Sequence, residues 1–83
     1  MYCVYILKSQ KTGRYYIGQT ESIEDRLMTH NKGVVKSTKN GMPWKMIHTE
    51  SFSTRSEAFL REREIKNYKG GIKFKKLLGL WKD

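Results

Sequence analysis

Two early stretches are dominated by apolar and aromatic positions and read as strands. Residues 2–8 (YCVYILK) and 14–20 (RYYIGQT) are rich in β-branched and aromatic types, the signature of strands. Between them Gln10-Lys11-Thr12-Gly13 is turn chemistry, with Gly13 suited to a positive φ, so the pair reads as a hairpin. A register in which paired residue numbers sum to 21 sets Val4 against Ile17 and Ile6 against Tyr15 on one apolar face. The same register sets Tyr5 beside Tyr16 on the other face, with Gly18 leaving open space next to them.

A period of 3.6 follows. Residues 22–32 read as a helix with Ser22 as N-cap, Asp25 three residues on and Gly33 at C′. Ile23 and Leu27 define its inner stripe; Arg26 and His30 fall on or beside it, while Glu24, Asp25, Met28 and Thr29 point away. A cation and an imidazole bordering a core-facing stripe need partners. A basic loop (34–43) leads to a third strand (44–52, WKMIHTESF). Thr54 and Glu57 form a capping box that opens a second helix running to about Lys69, where Gly70-Gly71 ends it. Glu62 lies within that helix's stripe of Ala58, Ile65 and Tyr68. Phe74, Leu77, Leu78 and Trp81 mark a last helical seam, with Lys73, Lys75 and Lys76 opposite. The expected fold is α+β: a three-stranded antiparallel sheet flanked by helices in the order ββαβαα, as one domain over residues 1–83.

Composition adds a partner. Seventeen Lys and Arg against eight Asp and Glu leave a net charge of +9 on 83 residues, which draws polyanions by Coulomb attraction and counterion release. Nucleic acid is the expected partner, with Lys32, Lys36, Lys39 and Lys45 as its phosphate contacts near the basic loop. One cysteine, Cys3, precludes an internal disulfide and suits a reducing cytoplasm. No apolar run approaches the roughly 20 residues of a membrane span, and no signal-peptide pattern is present.

Tyr5, Tyr16, Arg26, His30 and Glu62 together supply what phosphodiester hydrolysis requires. Water must be deprotonated, charge on the crowded phosphorane stabilised, and the alkoxide helped to leave. A hard divalent cation held by one carboxylate, with water and phosphate oxygens completing its shell, meets part of that need. An arginine offers permanently charged planar donors to phosphate. A phenol acts as base only if its ordinary pKa of about 10 is lowered. All five side chains are expected on a common side of the sheet.

Each residue also has an ordinary reading. The tyrosines could pack a strand face, Arg26 could be a helix surface residue with a buried stem, His30 could be a satisfied boundary histidine, and Glu62 could pair with Lys66 or Arg61 along the helix. Glu64 reads as solvated, His48 as structural or surface, Cys3 as a small buried hydrophobe, and Trp44 as core.

On Val4-Tyr5, Tyr16-Ile17-Gly18, Arg26, His30 and Glu62 the chain resembles the GIY-YIG nuclease superfamily, in particular its small stand-alone bacterial members. His30-Asn31, Pro43, Glu50 and Ala58 fit that subgroup, whereas Cys3 and Val4 replace the opening glycine and isoleucine of the name motif. The resemblance implies a metal-dependent DNA endonuclease, like the catalytic modules of a repair excinuclease and of homing endonucleases. It implies Tyr5 as general base with Tyr16 as its neighbour, His30 assisting, Arg26 on the scissile phosphate, and Glu62 holding one Mg²⁺ or Mn²⁺ per site. No partner after Glu62 matches the extra polar residue of some members, and without a targeting domain little sequence specificity is expected. A module that binds nucleic acid without cutting it is the alternative. A protein partner docking on the helix at 72–83 is a third reading.

Overall fold

A computed structural model describes residues 1–80. Strands β1 (Tyr2–Ser9), β2 (Tyr15–Thr20) and β3 (Trp44–Phe52) form an antiparallel sheet in the order β2-β1-β3, so the hairpin's first strand is central. Helices α1 (Ile23–Asn31), α2 (Arg55–Asn67) and α3 (Ile72–Leu77) complete the expected ββαβαα order, with a short 3₁₀ turn at Lys39–Gly41 inside the basic loop. Trp81 lies outside the described residues.

The alternation of β1 splits the core in two, because successive side chains leave a strand on opposite faces. Val4 and Ile6 are fully buried with Ala58 and Ile65 of α2 and Phe74 of α3. Tyr5 and Leu7 are buried on the other face with Trp44, and Tyr16, Leu27, Met42 and Met46 pack around them. Helix α1 and the basic loop cover this second face.

The hairpin register differs from the expected one by two residues. Ile6 faces Ile17, Tyr5 faces Gly18 and Leu7 faces Tyr16. A slip of two keeps each residue on its face, so the hydrophobic pattern cannot detect it. The turn decides: Ser9 Oγ accepts from the amides of Lys11 and Thr12 at 3.1 and 2.9 Å, and Ser9 N–H donates to the Arg14 carbonyl at 2.8 Å. That closes a four-residue loop, with Gly13 at φ 77°.

Helix signals fare unequally. The Thr54–Glu57 capping box forms in full. Ser22 occupies the N-cap of α1 but its side chain caps nothing; Thr20 Oγ1 accepts from the Ser22 amide and donates to its carbonyl instead. Lys69 and Gly70 take left-handed φ values of 50° and 72° after α2.

Candidate active site

The second face of the sheet carries the polar chemistry, and His30 is its hub. It is fully buried on the last turn of α1. Its Nε2 lies 3.1 Å from Tyr5 Oη and its Nδ1 2.8 Å from Thr38 Oγ1, and Thr38 Oγ1 is 3.3 Å from the Val35 carbonyl. One proton arrangement satisfies the whole chain. The Thr38 hydroxyl donates to Val35, Nδ1–H donates to Thr38, and bare Nε2 accepts from the Tyr5 phenol. The opposite tautomer would leave the buried Tyr5 proton without an acceptor.

Burial sets the electrostatics. The Tyr5 phenol, 2% exposed, has its pKa raised well above 10, first by loss of solvent and then by Tyr16; Arg26 pulls it down and Glu62 pushes it up. His30 is lowered, by burial first and by Arg26 second. A proton-rich phenol therefore stands against a neutral imidazole. Tyr16, half-buried, completes an aromatic cluster with its ring centroid 4.7 Å from that of His30 and 6.3 Å from that of Tyr5.

Gly18 is not the open space expected beside the tyrosines. It is buried, and a Cβ there would lie 2.6 Å from Tyr5 Oη and 2.8 Å from Tyr5 Cζ. The missing side chain is the room that the Tyr5 phenol occupies.

Three of the five residues, Tyr5, Tyr16 and His30, are brought into one cluster. Tyr5, Tyr16 and His30 share the α1 face, and exposed Arg26 sits on α1. Glu62 comes from α2, which packs on the Val4–Ile6 face against β1 and the edge strand β2. It makes no hydrogen bond to the tyrosines; what reaches Tyr5 is its charge. Its side chain is only 14% exposed, and one oxygen accepts from Lys66 Nζ at 2.9 Å. The ordinary reading of Glu62 as a helix-face ion pair is thus realised, within a mostly buried setting.

Metal chemistry is narrowed by the donors. Among the described residues no group of three or more His, Cys, Asp or Glu side chains could hold an ion. Glu62 alone fits a hard cation such as Mg²⁺ or Mn²⁺ that keeps most of its waters, and does not fit zinc. Its Oε1 is free of hydrogen bonds among the described residues, which leaves one oxygen for that role.

The basic loop is pinned rather than loose. Asn31 clamps Trp44, accepting from its amide at 2.6 Å and donating to its carbonyl at 3.1 Å. Trp44 Nε1 donates to the Thr38 carbonyl, and Ser9 Oγ donates to that of Gly41 at 2.6 Å. Lys32, Lys36, Lys39 and Lys45 are exposed, and none makes an ion pair among the described residues. Thr38, Ser9 and the clamping role of Asn31 escaped the sequence; a serine closing a strand before a Gly-ended turn was the one usable signal.

A second polar cluster joins β3 to α2. Arg61 donates through Nε and Nη2 to the two Glu50 oxygens at 2.8 and 3.0 Å, holding the Glu50 carboxyl below its usual range. His48 Nε2 lies 2.7 Å from Glu50, and Glu64, expected to be solvated, is exposed but accepts from Arg61. Cys3 is half-buried with Sγ 3.6 Å from Ser51 Oγ, short of the burial expected for it.

Known proteins share this arrangement of sequence. The family model for the GIY-YIG catalytic domain matches residues 1–75. A UPF0213 protein of Staphylococcus saprophyticus is 41% identical over 73 residues, covering 87% of this chain and 88% of its own. Another, from Halobacterium salinarum, is 40% identical over 67 residues, covering 80% and 86%. No solved structure matches the chain. No helix among the described residues is long and apolar enough to cross a membrane.

Proposed function

The chain belongs to the GIY-YIG family, and from that premise we propose that it is an endonuclease hydrolysing phosphodiester bonds in DNA with one divalent cation at Glu62. The observation that carries the reading is the directed proton chain from Tyr5 through His30 to Thr38. A phenol raised by burial is a poor base alone. Against a neutral imidazole with a bare Nε2 it has somewhere to send its proton at the moment water is deprotonated.

Arg26 supplies the permanent charge for the scissile phosphate and is the influence that lowers Tyr5. Tyr16, more exposed than Tyr5, orients the water or phosphate next to that phenol. A cation bound at Glu62 supplies positive charge at the developing phosphorane. Lys32, Lys36, Lys39 and Lys45 hold flanking backbone phosphates on the pinned loop. Cutting of this kind, with little sequence preference, suits a role in repair.

The Glu62–Lys66 pair favours a second reading: a module that keeps the fold and binds nucleic acid without turnover. Supercoiled-plasmid nicking with Mg²⁺ or Mn²⁺ separates the two. The nuclease reading requires metal-dependent nicking that Glu62→Ala abolishes; Glu62→Ala cutting as fast as its parent removes the metal site. Tight, strongly salt-dependent binding with no cutting in either metal establishes the binding module instead.

A further inference from the structure

A cavity of about 430 Å³ opens between the start of β1, the β2–α1 turn and the start of α2. Tyr2, Glu21, Arg26 and Arg55 line it. Arg55 has its guanidinium carbon 5.5 Å from the centroid of the Tyr2 ring, and Tyr2 is itself packed against the Val4–Ile6 core. The ring is therefore fixed, and it holds the Arg55 cation by a cation–π contact rather than by a counterion. Among the described residues neither Arg26 nor Arg55 makes an ion pair. Glu21 shares the wall and pairs with neither arginine.

Two guanidinium groups facing one space repel unless an anion lies between them. Their planar forks match phosphate oxygens. The space is larger than one phosphate needs and falls in the size range of small-ligand clefts. We propose that this cavity is a second phosphate subsite, in which Arg55, held by Tyr2, takes the backbone phosphate next to the one engaged by Arg26. The proposal rests on the reading of Arg26 as a phosphate ligand. It adds a strand path that leaves the tyrosine–histidine cluster over the β2–α1 turn towards the start of α2. Arg55 is a binding residue here, and Tyr2 positions it.

The test is equilibrium binding of a labelled DNA duplex in EDTA across a salt series, so that cutting plays no part. Each phosphate contact contributes about 0.9 to the slope of log K against log salt. Arg55→Ala is expected to lower the slope by about that amount and to weaken binding several-fold at low salt. Arg55→Lys retains the slope. Arg63→Ala, an exposed arginine stacked on Phe59 elsewhere, serves as control and changes neither quantity. A parental slope in Arg55→Ala, or an equal loss in Arg63→Ala, overturns the subsite. If Arg26→Ala keeps the parental slope while Arg55→Ala does not, the subsite stands and the role given to Arg26 falls. If the protein never cuts DNA yet Arg55→Ala lowers the slope, the subsite stands in a binding module.

Discussion

Replacing Gly18 by alanine puts a methyl group where the Tyr5 phenol lies. The added carbon would sit 2.6 Å from Oη, 2.8 Å from Cζ and 3.2 Å from Tyr16 Cε1. No backbone strain enters, because Gly18 has no left-handed φ. The whole effect is steric. Tyr5 cannot swing away into solvent, since it is 2% exposed, so the ring must slide by the better part of an ångström. Overpacking of a fitted core costs about 1–3 kcal/mol. The slide also stretches the 3.1 Å bond to His30, and a weakened buried hydrogen bond adds about 1 kcal/mol. A total of about 2–4 kcal/mol is a large share of a small domain's stability. Urea denaturation should show a lower midpoint with an unchanged slope, and the melting temperature should fall by roughly 10–25 °C. Tyr5→Phe removes the closest atom, so Gly18→Ala should cost less in that background, giving a coupling of about 1 kcal/mol. A loss under about 0.5 kcal/mol in Gly18→Ala, or strict additivity with Tyr5→Phe, would refute the idea that Gly18 exists to seat the phenol.

Other consequences follow from the same packing. Asn31→Ala strands the Trp44 amide that it now bonds at 2.6 Å and should cost about 1–3 kcal/mol in urea titrations, whereas a change within the error of the fit would dismiss the clamp. His30 titrates below its ordinary 6.5 when folded, so the unfolded chain binds the extra proton first and stability must fall as pH drops through 6.5. The slope there is at most about 1.4 kcal/mol per pH unit, and His30→Gln should flatten it; equal slopes in both proteins would contradict a buried neutral imidazole. Glu50, depressed chiefly by its bonds to Arg61, contributes a separate loss below about pH 4.5, which Arg61→Ala should diminish. Lys66→Ala frees the Glu62 oxygen that it now holds, so Mn²⁺ affinity measured by calorimetry should rise several-fold; an unchanged affinity would show that Lys66 does not compete with the cation, and an equal affinity in Glu62→Ala would show that Glu62 is not the ligand.

Elements were legible because their signals are local. The β-branched and aromatic run in 2–8, the Thr54–Glu57 box and the Ala58–Ile65 stripe each reappear in place. Register was not, because a two-residue slip conserves both faces and only the Ser9 side chain distinguishes the turns. The face of the sheet that α2 covers was not legible for a related reason. A helix stripe tells which residues face the sheet, but not which side of the sheet the helix covers. His30 was recognisable as a polar residue in need of partners, yet Thr38 lies in an irregular loop with no period to announce it. The fixed chemistry of the site thus depends on loop residues that pattern reading passes over.

The central claim is that Tyr5, Arg26 and Glu62 act as one reacting unit. Nicking rates of a supercoiled plasmid under excess protein, with Mg²⁺, for the parent, Tyr5→Phe, Arg26→Ala, Glu62→Ala and the Tyr5→Phe/Glu62→Ala pair test it directly. Residues that act together are strongly non-additive. The expected result is metal-dependent nicking in the parent, a fall of at least about a hundredfold in each single variant, and no further fall in the pair. Nicking that survives Glu62→Ala, or a pair whose loss is the product of the two singles, would contradict it.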